Sequence, residues 1–159
     1  MTRTRSEYRL APIPVDPTPA SQVARRPLDA DRDALARVML DAYRGTIDDE
    51  GEGIDDAIAA VDHSLAMAVR EHSFVLSEGA AVSAFSFVVV VNDLHYIDPI
   101  VVAPERKGQG LGRDMVAQCL RSLADAGVSE VGATITDGNV ASERLFMGLG
   151  FTRRGAWGS

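Results

Sequence analysis

With 159 residues, the chain has room for one ordinary hydrophobic core and not for two independent ones. A composition that is 46% hydrophobic and 25% charged belongs to a globular domain. A formal net charge of −7 argues against a nucleic-acid backbone as the main partner, because phosphates are repelled outside local basic patches. The most apolar run, residues 80–91, is too short to cross a bilayer, and no apolar stretch follows the arginines of the amino terminus, so no membrane partner and a cytoplasmic location are expected. The single cysteine, Cys119, lacks a partner for an internal disulfide and is expected to be a buried thiol.

Residues 1–22 are expected to form a proline-rich, extended or disordered arm ahead of one domain at 23–159. Pro12, Pro14, Pro17 and Pro19 forbid a helix, and Tyr8, Leu10, Ile13 and Val15 offer only weak apolar anchoring; packing across a neighbouring surface or subunit is the alternative. A short first strand is expected at 23–27. Asp29 or Asp31 then caps a helix that carries Leu35, Val38, Met39 and Ala42 on one face, with Tyr43 near its end and Gly45 helping to stop it. The acidic stretch at 48–53 leads into a second helix with Ile54, Ile58, Val61 and Leu65 as its apolar side.

Residues 72–78 and 80–92 read as antiparallel strands joined near Gly79, and the unbroken apolar run at 88–91 suits a central strand covered on both sides. Residues 94–102 form the next strand, in which Pro99 removes a ladder donor and therefore marks a bulge. A third helix at 110–126 has the stripe Leu111, Met115, Cys119 and Leu123, widened by Val116 and Leu120. The strand at 128–135 is parallel to the one before that helix, since a crossover separates them. Asp137-Gly138-Asn139 turns the chain into a fourth helix with Leu145, Phe146 and Leu149. The order predicts an α/β fold with a mixed central sheet and flanking helices.

Strand 94–102 and the third helix are joined by Lys107-Gly108-Gln109-Gly110-Leu111-Gly112, a turn whose backbone N–H groups converge at the positive end of a helix dipole, as a phosphate or pyrophosphate requires. The NTPase loop G-x-x-x-x-G-K-[ST] is excluded because Arg113-Asp114 follows Gly112, and the dinucleotide fingerprint G-x-G-x-x-G is excluded by the spacing G-x-G-x-G. The turn instead resembles the [Q/R]-x-x-G-x-[G/A] segment of the GNAT acetyltransferases, which follows a strand ending in V-x-P, here Val102-Ala103-Pro104. Lys107 stands where that family prefers Gln or Arg. The segment from Asn139 through Ser142 and Leu145 to Gly150-Phe151 resembles the same family's N-x-x-A-x-x-L-Y-x-x-x-G-F. Phe146 occupies the place of the usual tyrosine.

The resemblance, over residues 25–151, implies a GNAT domain with a splayed parallel strand pair that holds the pantetheine arm of acetyl-CoA, and transfer of the acetyl group to a primary amine by direct attack in a ternary complex. It implies that backbone N–H groups near Val101 and Val102 orient the thioester, that Gln109, Gly110, Leu111, Gly112 and Arg113 hold the pyrophosphate, and that Ile100, Lys107, Gly108, Asn139 and Phe146 also border the cofactor. Asp98 is the candidate for the acceptor amine; the departing thiolate's proton, which Phe146 has no hydroxyl to give, comes from Tyr43, Tyr96, solvent or another group, or the step needs no dedicated acid. His95 has a suitable reference pKa, but the bulge leaves its direction open, and no metal site is expected around His63 or His72. The acceptor is a small-molecule amine or a protein amino group. The acidic loop either draws in a cation or is a solvated turn. A homodimer is an open option, since small sheets have edges that need protection. Family members commonly carry two further strands after the G-F pair, whereas only residues 152–159 remain here, so the last strand is absent, replaced by the arm or supplied by another subunit. Two other readings are a noncatalytic acyl-CoA-binding regulatory module and a phosphate-binding domain for another nucleotide.

Overall fold

The computed structural model describes residues 3–14 and 23–158. Pro17, Pro19 and Val15 of the arm lie outside the described residues. Ten elements follow one another: β1 (Arg5–Leu10), α1 (Arg32–Tyr43), α2 (Ile54–Met67), β2 (Phe74–Glu78), β3 (Ala81–Val91), β4 (Leu94–Val102), α3 (Leu111–Asp125), β5 (Val131–Thr136), α4 (Val140–Gly148) and β6 (Thr152–Ala156). The strands form one sheet in the order β2-β3-β4-β5-β1-β6, in which only β4 and β5 pair in parallel.

The two faces of the sheet carry separate apolar layers. On one, Val116, Cys119, Leu120 and Leu123 of α3 and Phe146 of α4 pack on Val88, Ile97, Val131, Ala133 and Ile135. On the other, Leu35, Val38 and Met39 of α1 and Val61 and Leu65 of α2 pack on Val75, Phe85, Phe87 and Val101. β3 is buried from Val82 to Val88 because it lies under both layers: Phe85 and Phe87 face α1, while Ser86 meets the Cys119 thiol on the α3 side. The period-2 alternation of a strand places these side chains on opposite faces.

The arm is where expectation and structure differ most. Its residues 5–10 are a strand inside the sheet, antiparallel to β5 on one side and to β6 on the other. Charged residues alternate with Ser6, Tyr8 and Leu10, and the latter three are buried. Tyr8 and Leu10, with Ile13 beyond them, join the layer under α3, each contributing about 1.5–3 kcal/mol by removal from water. Of the three fates considered for the missing last strand, replacement by the arm is the one observed. The strand expected at 23–27 is reduced to one bridge, Arg25 to Val75. The Arg25 guanidinium donates to Asp31 (2.7 and 2.9 Å). Asp31 is no side-chain N-cap of α1, as had been expected; its carboxylate accepts from the Leu28 N–H and from Arg25.

Candidate active site

The β4–β5 ladder stops at the pair Ile97 and Ala133. Two β4 residues, Asp98 and Pro99, then stand opposite the single β3 residue Phe87, since Val88 pairs with Ile97 and Ser86 with Ile100. This bulge bends β4 away from β5 and exchanges the faces of the residues after it. Tyr96 and Asp98 before the bulge and Val101 after it therefore share a face, whereas His95 points to the other side and meets His72 edge-on at 6.1 Å. Beyond Ile97 the edge of β4 that faced β5 has no strand partner among the described residues.

The opening so created is a cleft of about 670 Å³. Its floor is Ile100, Val101 and Val102; one wall is the end of α1 with Ala42, Tyr43 and the following Thr46, Ile47 and Asp48; the other is the first turn of α4 with Leu145. The glycine turn and the start of α3 close the far end. Gly108 and Gly110 have φ of 78° and 76°, the left-handed conformation that lets the turn double back before the helix. The first bond of α3 runs from the Asp114 N–H to the Gly110 carbonyl (3.1 Å), so the N–H groups of Leu111, Gly112 and Arg113 precede the helical ladder. Gly112 answers a different need: a Cβ there would lie 2.9 Å from Leu145 Cδ1 and 3.4 Å from Val102 Cγ2.

The amino end of α4 reaches the cleft as well, capped by Asn139, whose Oδ1 accepts from the Ser142 N–H (3.1 Å). Asn139 Nδ2 and Thr136 Oγ1 both donate to Asp48 (3.2 and 2.8 Å), so part of the acidic loop is built into the wall. Asp49 takes the Gly45 and Gly51 N–H groups, which hold its carboxyl below the usual range. Four cations, Arg106, Lys107, Arg113 and Arg144, line the cleft in a chain of net charge −7. Arg106 is paired with Glu78, and the two helix amino termini with the other three cations suit an anion. Lys107 Nζ also donates to the Ala42 carbonyl (3.0 Å), which ties the glycine turn to the carboxyl end of α1.

Most residues singled out from the sequence meet in this cleft: Tyr43, Ile100, Val101, Val102, Lys107, Gly108, Gly110, Leu111, Gly112, Arg113 and Asn139. Gln109 does not, since its side chain turns outward to Arg106 and the Glu105 carbonyl. Phe146 is buried in the layer under α3, with its ring edge-on to Phe151 at 5.1 Å, because the helical periodicity that brings Leu145 to the cleft turns its neighbour inward. Tyr96 also departs from expectation. Its ring lies over Gly132, its hydroxyl donates to Glu7, and Trp157 covers it, so it belongs to the sheet surface beside the arm.

Asp98 does not line the cleft; it stands at the β4 bulge, near enough to Tyr43 for its charge to act on that phenol. Its side chain reaches solvent, yet surrounding protein withdraws enough water to push its carboxyl pKa up, against the opposing pull of Arg5 and His63. The Tyr43 phenol is pushed well above its usual range by burial first, then by the negative charges of Asp98 and Asp48. Arg106, Arg144 and Leu145 line the cleft without having been foreseen, and Arg5, from the arm, is an unforeseen charge acting on Asp98 and Tyr43. The alternation of charged and buried residues at 5–10 was the available signal.

Residues 33–151 match the family model described as the Acetyltransferase (GNAT) family. The chain belongs to this family. A search of curated proteins finds 30% identity over 82 residues, 52% of this chain and 55% of the relative, with the [ribosomal protein bS18]-alanine N-acetyltransferase of Escherichia coli (strain K12). The chain thus spans about half the length of the curated relatives it matches. Among solved structures, a GCN5-related N-acetyltransferase from Sphaerobacter thermophilus superposes with a TM-score of 0.71 at 14% identity, covering 97% of this chain and 49% of that one. The ribosomal-protein-S18-alanine N-acetyltransferase from Escherichia coli superposes with a TM-score of 0.65 at 21% identity, covering 82% and 77%. At these identities the solved structures establish the GNAT fold: a mixed sheet opened between its two parallel strands, with helices on both faces.

Proposed function

We propose that this GNAT domain is an acetyl-CoA-dependent N-acetyltransferase that acts on a primary amine. The observation that carries the reading is the splay after Ile97 and Ala133, which opens directly onto the glycine turn and the free amino end of α3. The residues fit the cofactor. Left-handed glycines at 108 and 110 leave open space where a Cβ would stand, the N–H groups of Leu111, Gly112 and Arg113 suit a pyrophosphate, and the bare edge of β4 suits the amide groups of a pantetheine arm.

When bound, acetyl-CoA supplies the thioester whose carbonyl the amine attacks. The backbone N–H groups along β4 near Val101 and Val102 hold the carbonyl oxygen as charge develops on it. Asp98 faces the incoming ammonium and takes its proton, directly or through one water; its raised pKa makes it a better base than an ordinary aspartate. The Tyr43 phenol, which lines the cleft, would lie where the departing sulfur takes up a proton as the N–C bond forms and the C–S bond breaks. Tyr43 takes this role over Tyr96 because it alone of the two lines the cleft. The noncatalytic reading rested on Phe146 and the short end; Phe146 is a core residue here, and β1 fills the strand position.

The acceptor is an amino group, and similarity to alanine N-acetyltransferases of a ribosomal protein supports a protein amino group among the candidates. Titration calorimetry with acetyl-CoA, with ADP as the reference, tests the cofactor. Binding at least tenfold tighter than ADP, about 1.4 kcal/mol, is expected, and equal or absent binding by folded protein overturns the proposal. Release of coenzyme A that rises with amine concentration then tests the transfer.

A further inference from the structure

Past the last parallel pair, the first residue of β4 is Asp98 and the first of β5 is Thr134. Arg5 Nη1 donates to Thr134 Oγ1 at 3.3 Å, which brings the guanidinium to the β5 side of the splay while the Asp98 carboxylate stands on the β4 side. The splay begins here, so the two charges stand on its opposite sides. They are not an ion pair. Among the described residues no carboxylate lies within salt-bridge distance of Arg5, whereas the neighbouring cations of the arm are both engaged: Arg9 with Glu130 and Glu7, and Arg3 with Glu50 and the Asp49 carbonyl. Arg5 is exposed, but its position is not loose. The Trp157 N–H donates to its carbonyl (2.9 Å), and the flanking Thr4 and Ser6 hydroxyls both donate to Asp137 at 2.5 Å.

A cation in no ion pair, across an opening from a carboxylate, calls for a ligand that carries both charges. We infer that the acceptor presents a carboxylate beside the amine it offers, and that Arg5 binds this carboxylate while Asp98 faces the ammonium. This rests on the transferase reading and adds the acceptor's chemical class. The planar guanidinium receives a carboxylate through two parallel hydrogen bonds, a geometry that lysine does not reproduce. Arg5 is thus a specificity-determining residue supplied by the strand that replaces the family's last one. The same chemistry has two sources: the α-carboxylate of a free amino acid, or an acidic side chain next to a protein amino terminus.

The test uses the full chain, with free α-amino acids paired with their α-amides, and amidated tetrapeptides with Glu paired with the same peptides with Gln at the second position. Equilibrium binding by saturation-transfer NMR without acetyl-CoA is read first, then coenzyme A release with it. The carboxylate member of at least one kind of pair should be favoured tenfold or more; which kind identifies the source. Arg5→Gln should bring that preference to within about twofold, while Arg5→Lys, which keeps the charge and guards against a folding artefact, should retain part of it. Absence of binding, a lack of preference, or a preference that survives Arg5→Gln overturns the inference. A preference in binding that depends on Arg5, with no acetyl transfer to any probe, keeps the inference about the site and sinks the transferase reading instead.

Discussion

Asp98 and Tyr43 differ in protonation for reasons visible around each. Surrounding protein raises the Asp98 pKa, so the carboxylate form on which proton removal depends is populated only above the ordinary 3.8. The acid limb of kcat/KM should accordingly fall above that value, and Asp98→Asn should abolish the limb and lower kcat by about 10²–10³. Tyr43→Phe removes a proton donor without changing shape; kcat should fall about tenfold or more with acetyl-CoA affinity preserved, and an unchanged kcat would assign the proton to solvent. Gly112→Ala should push Leu145 into the cleft and weaken acetyl-CoA binding about tenfold, measured by calorimetry, with little change in Tm. Cys119 is fully buried, and burial pushes its thiol pKa up to about 12. It should react with a thiol reagent only as fast as the protein opens, so a rapid reaction in native buffer would contradict this packing. The glycines, Tyr43 and Asn139 line the cleft as expected, because backbone conformation, capping and helix ends are local matters. Phe146 and Tyr96 were misplaced because their directions depend on which face of an element the neighbouring layer covers.

Among the elements, β1 decides most. Asp137 receives the Thr4 and Ser6 hydroxyls, which hold its carboxyl below the usual range. A carboxylate with a depressed folded pKa contributes stability that is present above 3.8 and lost as pH falls through the lower folded value. Hydrogen exchange should therefore show the arm losing protection below pH 3.8, and Asp137→Asn should flatten that dependence. The β3 run, the amphipathic α3 and the parallel β4–β5 pair are strong periodic signals and appear where expected. The arm carries an equally clear alternation over a short span, but its prolines and its distance in sequence from every strand it pairs with concealed it. Pairings of Arg5 with Thr136 and of Ser6 with Ala156 join residues more than a hundred positions apart, and no local pattern encodes such a partner.

At the scale of the molecule, the first strand and the last lie side by side, so the sheet is completed by joining the two ends of the chain. Deleting residues 1–12 should remove the strand that links β6 to β5 and expose the layer that Tyr8 and Leu10 cover. We expect loss of cooperative unfolding in calorimetry; a truncated chain that melts like the parent would show that the arm is dispensable. By itself the sequence determined the layered α/β plan, the anion-binding turn and the family resemblance, because hydrophobic period, helix caps and glycine conformations are written in neighbouring residues. Only the tertiary structure decided that the arm becomes a strand, that a bulge puts Asp98 and Val101 on one face of β4, and that Arg5 stands across the splay from Asp98, because those relations arise where distant segments meet and are fixed by register and packing.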